Sequence, residues 1–158
     1  NYQDTPEDFY QRLRTNVELN HSEGTKVSGF PMRYIPLTAK KRGYVGPHWN
    51  RRLLRGLSCI LVATRGMVSP RLEFFEAAFG RTAAEFREIA SMPENYIIHR
   101  RKHESNGATE WRRVFHQLSK SEWRELQTVF EKGPIHKEDV PNVSTGRLKK
   151  LLSHYVDP

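Results

Sequence analysis

The sequence predicts an α-rich α/β chain: one βαβ crossover, then a helical C-terminal extension. Three observations predict it. A well-capped helix follows the opening residues, an apolar run at 27–37 follows that helix, and after Gly66 the chain becomes a series of short helices separated by caps. The first helix is signalled by Thr5 as N-cap, Pro6 as first helical residue, and Glu7 and Asp8 at the positive end of the dipole. Phe9, Leu13 and Val17 give it an apolar face, and Gly24 stops it. Residues 1–4 read as the end of a preceding strand. In the run 27–37, Phe30, Met32, Tyr34 and Ile35 suggest a largely buried strand. Pro31 and Pro36 weigh against a central position, because proline offers no ladder donor. Strand end, helix and strand together make the skeleton of a βαβ unit.

A basic loop follows, with Lys40, Lys41 and Arg42 beside Gly43, Gly46 and Pro47. Next comes a helix over 49–65 whose Leu53, Leu54, Leu57, Ile60 and Leu61 form one stripe. Ser69 and Pro70 open a helix that Gly80 ends, and Thr82 with Glu85 forms a capping box for another. Residues 95–103 read as a short strand or exposed arm. Trp111, Phe115 and Leu118 share a helical face, and Ser119 with Glu122 caps the helix carrying Trp123, Leu126 and Phe130. A linker at 134–144 and a last helix with Leu148, Leu151 and Leu152 complete the chain. The division is therefore 1–37, the crossover, and 38–158, the helical extension.

Charge is unevenly distributed. Residues 24–72 hold ten Lys or Arg and no Asp or Glu, whereas the remainder holds sixteen basic against eighteen acidic residues. A strand emptying into a basic, glycine-bearing loop before a helix is a place to hold an anion. The length of 158 residues with 37% hydrophobic content fits one domain or part of a larger one. No run of about 18 apolar residues is present to span a membrane, and no basic-then-apolar amino terminus reads as a secretory signal. The single cysteine, Cys59, excludes an internal disulfide and fits the reducing cytoplasm. Asn1 is no initiator, and a bare βαβ unit leaves its faces uncovered, so the chain is expected to be a piece of something larger.

The segments DTPEDFYQRLRTNVELN, GFPMRYIPLTAKKRGYVGPHWNRRLLRGLSCILVATRG, FFEAAFGRTAAEF and MPENYIIHRR resemble the C-terminal part of a group of radical S-adenosylmethionine proteins. The resemblance covers roughly residues 1–115, and its most specific parts are Asp-Thr-Pro-Glu-Asp and Phe-Pro-Met-Arg-Tyr. It implies that the crossover is the end of a partial βα barrel holding an iron–sulfur cluster and S-adenosylmethionine. The cluster ligands in that family are three closely spaced cysteines, and this chain has one cysteine. The expected partner is thus a missing N-terminal half carrying the cluster, without which the chain alone binds no cofactor and is inactive.

The resemblance places the adenosyl group near the end of the last strand, making Met32, Arg33 and Tyr34 candidate cofactor-binding residues; for Met32 and Tyr34 core packing is an equal alternative. Functional groups in parallel barrels sit on loops after the strands, which makes Asp4 and Thr5 substrate candidates, although capping alone explains Asp4. Arg51 and Arg55, at i and i+4, share a helix face that is either solvated or bound to phosphate or nucleic acid. His99 and His103 have a metal-capable spacing, but no third ligand accompanies them and Arg100, Arg101 and Lys102 would repel a cation, so no metal site is expected. Neither Ser58 nor Cys59 reads as a nucleophile, and no catalytic residue stands out. The alternative function is a nucleic-acid-binding module, using the acid-free window and the interleaved Tyr34, Tyr44, His48 and Trp49. A third is a structural extension that binds a protein partner.

Overall fold

Helices α1 (Pro6–Glu23), α2 (Arg51–Ala63), α3 (Leu72–Phe79), α4 (Ala83–Ser91) and α5 (Glu94–Ile98) form the first part of the chain. After them come α6 (Gly107–His116), α7 (Lys120–Lys132), a 3-10 turn (Lys137–Asn142) and α8 (Gly146–Ser153). The computed structural model describes residues 3–40, 43–98 and 107–156. Capping follows local chemistry. The Thr5 hydroxyl accepts from the Asp8 amide at 3.1 Å while Asp8 accepts from the Thr5 amide at 2.9 Å, satisfying two orphan donors reciprocally. Gly24 ends α1 in the left-handed region at φ 64°, where a side chain would be strained.

The expected βαβ crossover is not there. Among the described residues the sole β pairing is an isolated antiparallel bridge between Gly29 and Val68. The described residues between 25 and 50 are otherwise irregular, so among the described residues there is neither a sheet nor the end of a barrel. The apolar run 27–37 has no neighbouring strand, and Pro31 and Pro36 remove two donors that a ladder would use. Instead, the Asn20 side chain accepts from the Val27 amide at 2.8 Å and donates to the Val27 carbonyl at 2.7 Å. A side-chain amide stands in for the next strand's peptide. Val27, Phe30, Met32 and Leu37 remain exposed. The expected strand or arm at 95–103 is corrected in part: Glu94–Ile98 is helical, and His99 and His103 lie outside the described residues, as do Asn1, Lys41 and Arg42.

The core is aromatic at one end. Tyr10 lies 5.5 Å from Phe75 and 5.8 Å from Phe86, ring centre to ring centre, and Phe75 stacks on Phe79 at 5.2 Å. The buried Tyr10 hydroxyl is satisfied by the Gly80 carbonyl at 3.0 Å. This cluster joins α1 to α3 and α4. At the other end Trp111 stacks on Phe115 at 4.4 Å above Leu148, Leu151 and Leu152, which are buried. Glu122 binds α7 to α8: it accepts from Thr145 at 2.7 Å and from Arg147 at 3.0 Å. The Ser119 amide and these partners hold its carboxyl at about 2.

Helix α2 crosses α4 at its one interior glycine. A Cβ built on Gly56 would lie 1.9 Å from the Ala90 carbonyl oxygen, a contact with backbone that cannot yield cheaply. Alanine is a better helix former than glycine by up to about 1 kcal/mol, yet at this position the clash must outweigh it. Gly56→Ala is expected to destabilise the protein by about 3 kcal/mol, at the upper end of overpacking costs. Chemical denaturation checks this; an unchanged or raised midpoint would mean that the crossing is not close-packed there.

Candidate functional site

The N-terminal end of α2 has an unusual composition. Asn50 caps it, accepting from the Leu53 amide at 2.8 Å and donating to Gln127 of α7 at 3.0 Å. Leu53, Leu54 and Ile60 then turn inward. The first turn contains no acid and instead carries Arg51 and Arg52, with Arg55 one turn on. Positive charge at a helix N-terminus opposes the macrodipole, so the local sequence disfavours its own helix here. Such conflicts between local preference and fold concentrate at functional sites.

The arginines line a cleft of about 310 Å³ with Ser58, Glu94, Pro134 and Arg33. Arg33 comes from the irregular segment and is steered by donating to the Tyr44 carbonyl at 2.7 Å. Arg55 is held by Glu94 of α5 in a two-pronged pair, 2.8 and 2.6 Å. Arg51 is exposed and makes no hydrogen bond or ion pair among the described residues. Arg52 is only 8% exposed. Its guanidinium lies 5.4 Å from the centre of the Tyr155 ring and donates to the Met92 carbonyl, yet its Nε is buried without a partner. Four guanidiniums therefore face one carboxylate across this cleft. The Arg55 hydrogen bonds hold that carboxylate, Glu94, below its ordinary range, against the opposing effect of partial burial.

A narrow slot of about 50 Å³ adjoins the cleft, with Arg33, Leu54 and Ser58 as common walls. Its far side is apolar: Phe9, Trp49, Leu57, Leu61 and Met32, the last 90% exposed overall.

Of the residues singled out from sequence, Arg33, Arg51 and Arg55 come together in the cleft, and Met32 flanks the slot. Tyr34 packs edge-to-face on Tyr44 at 5.3 Å and lines neither cavity. Asp4 and Thr5 sit at the start of α1: Asp4 pairs with Arg12 at 2.6 Å, its carbonyl accepts from the Trp49 indole at 2.9 Å, and Thr5 is the cap. Neither lines the cleft. Sequence reasoning noted Arg52 between Arg51 and Arg55, and Glu94 at the start of a local turn, but assigned neither to a site. The signal for Arg52 was available in the acid-free first turn; Glu94 reads only as a helix opener, because nothing local links it to residues 39 positions away.

Cys59 is buried on α2, and burial pushes its thiol up. One buried thiol does not fit the cysteine ligation of an iron–sulfur cluster. Among the described residues no group of three or more His, Cys, Asp or Glu is placed to hold a metal ion, and no helix is long and apolar enough to cross a membrane. No family model, curated protein or solved structure matches this chain.

The Arg55–Glu94 pair makes stability depend on pH. A carboxylate whose folded pKa is depressed contributes fully above its unfolded value, about 4.3, and the contribution is lost as pH falls through the folded value. The wild-type protein should therefore lose stability on acidification below about pH 4.3 that a Glu94→Gln variant has already lost at neutral pH. Denaturation of both proteins between neutral and acid pH checks this: the gap between them should close as the pH falls. Parallel curves would assign no linkage to Glu94.

Proposed function

We propose that this chain binds an anionic ligand in the cleft at the start of α2, and that it does so as the C-terminal part of a radical S-adenosylmethionine protein. One observation supports the binding. Among the described residues four guanidiniums line a cleft with a single carboxylate, and one of them is buried with a donor unused. Buried polar groups are ordinarily paired, and an excess of cations over carboxylates at a cleft favours an anion there. The attribution to the family is supported by the Asp-Thr-Pro-Glu-Asp and Phe-Pro-Met-Arg-Tyr segments, without the barrel end that the resemblance implied.

In this reading the missing N-terminal half is the partner and carries the cluster, since Cys59 does not fit that task. S-adenosylmethionine would supply the radical chemistry. The residues of this chain bind and orient: Arg33 and Arg51 offer forked donors to an anionic group of cofactor or substrate, and Met32 offers an apolar flank. A lone, buried cysteine favours a reducing compartment, the cytoplasm.

The nucleic-acid reading is less favoured. Trp49, needed as a stacking platform, is 6% exposed and packs edge-to-face on Phe9 at 5.7 Å. Tyr34 and Tyr44 are engaged with one another. The basic window then retains charge but little base-stacking surface.

Titration calorimetry with S-adenosylmethionine and with single-stranded RNA, on the chain reassembled with the N-terminal half that this reading requires, separates these readings. The expected result is saturable binding of the small ligand, weakened by about 1–3 kcal/mol in Arg33→Leu, the scale of a charge-assisted hydrogen bond, with the unfolding midpoint unchanged. RNA binding with a steep salt dependence and no small-ligand binding would replace this function with the nucleic-acid one. An Arg33→Leu protein with lower stability and unaltered affinity would make Arg33 a structural residue.

A further inference from the structure

We propose that the ligand of the arginine cleft is an organic phosphate: its dianionic phosphate sits among Arg51, Arg52, Arg55 and Arg33, and a small apolar group on its ester oxygen enters the adjoining slot. The inference rests on the anion-binding reading above and narrows it to one chemical class.

Charge is the first argument. Four arginines against Glu94 leave a surplus that a single carboxylate reduces only slightly, whereas a phosphate monoester carries close to two charges at neutral pH. Geometry is the second. The cleft lies at the N-terminal end of a 13-residue helix whose first turn is entirely without acid. An anion there relieves both the dipole and the mutual repulsion of the arginines. The third is the orphaned Nε of Arg52. This side chain is more than nine-tenths buried, lines the cleft and retains a donor that no described protein atom uses. The cations are all arginine, whose rigid fork matches phosphate oxygens two at a time. The fourth is the slot. Arg33, Leu54 and Ser58 are walls of both cavities, so a group projecting from the phosphate meets Leu57 and Leu61. Free phosphate fills the polar part only.

Glu94 has a definite place in this arrangement. Its two oxygens already occupy the fork of Arg55, so an incoming phosphate competes with an internal carboxylate. Removing that carboxylate should therefore tighten binding, a direction that a purely structural ion pair would not produce.

The test is calorimetric titration of the chain with phenyl phosphate, inorganic phosphate and benzoate at pH 7.5 and pH 5. Phenyl phosphate is expected to bind at least tenfold more tightly than either of the others at pH 7.5. Its affinity should fall several-fold at pH 5, as the second phosphate proton, with a pKa of about 6, returns. Benzoate should show no such fall, because Glu94, held below its ordinary range, stays ionised and no described histidine lines the cleft. Arg51→Gln, at an exposed position, should weaken phenyl phosphate tenfold or more, and Glu94→Gln should strengthen it. Leu61→Ser should erase the advantage of phenyl phosphate over inorganic phosphate. Benzoate binding as tightly as phenyl phosphate would overturn the phosphate assignment and leave the anion-binding function standing. Binding of none of the three would overturn both. Phenyl phosphate affinity indifferent to Arg51→Gln would place its binding elsewhere and overturn the assignment too.

Discussion

Helix α2 rests on α4 through a glycine, and the rest of the molecule is disposed around that contact. Because residue 56 presents only a hydrogen to the Ala90 carbonyl, the two backbones approach more closely than side chains would allow. The C-terminal end of α4 then falls under the arginine-bearing face of α2. The Met92 carbonyl accepts from Arg52, and Glu94, two residues further on, reaches Arg55. Core packing and cleft geometry are thus consequences of one backbone approach. A bulkier residue would separate the helices and the ion pair together.

The C-terminal helices depend on the same arrangement. Tyr155 presents its ring to the Arg52 guanidinium, donates to the Ser91 carbonyl at 2.6 Å and accepts from the Trp111 indole at 3.2 Å. A cation over an aromatic face in a largely dry setting is more strongly attracted than at an exposed site. This lid of aromatic and hydroxyl groups is what allows an arginine to be buried so near the end of a helix.

Much of the helical framework was legible because helix ends are written locally. Thr5 with Asp8, Thr82 with Glu85 and Ser119 with Glu122 announce starts within four residues. The first and third close as capping boxes, whereas at the second the Thr82 hydroxyl accepts from the Glu85 amide and the Glu85 carboxylate accepts from the Arg81 amide instead. The strand at 27–37 was misread because an apolar run reports burial only if something is available to cover it. Here Asn20 answers one peptide, and Phe30, Met32 and Leu37 stay in solvent. For the cleft, helical spacing could join Arg51 to Arg55. It could not bring in Arg33, which arrives through an irregular segment, or Glu94, which arrives through the α2–α4 crossing. Trp49 illustrates the opposite error: an aromatic beside basic residues looked like a stacking surface, and its indole instead anchors the start of α1.

One helix carries two faces with different tasks, and this ties them in phase. Each residue added to or removed from α2 between Asn50 and Gly56 would rotate everything before it by about 100° relative to everything after. Leu53 and Leu54 would leave the interior as the guanidiniums entered it. Substitution can alter either face by itself, whereas insertion or deletion cannot. Length in this stretch is therefore as constrained as residue identity, while the turn at Lys137–Asn142, with none of its residues buried, carries no such constraint. Descendants of this sequence could exchange arginines or leucines one at a time, but would have to keep the spacing between them.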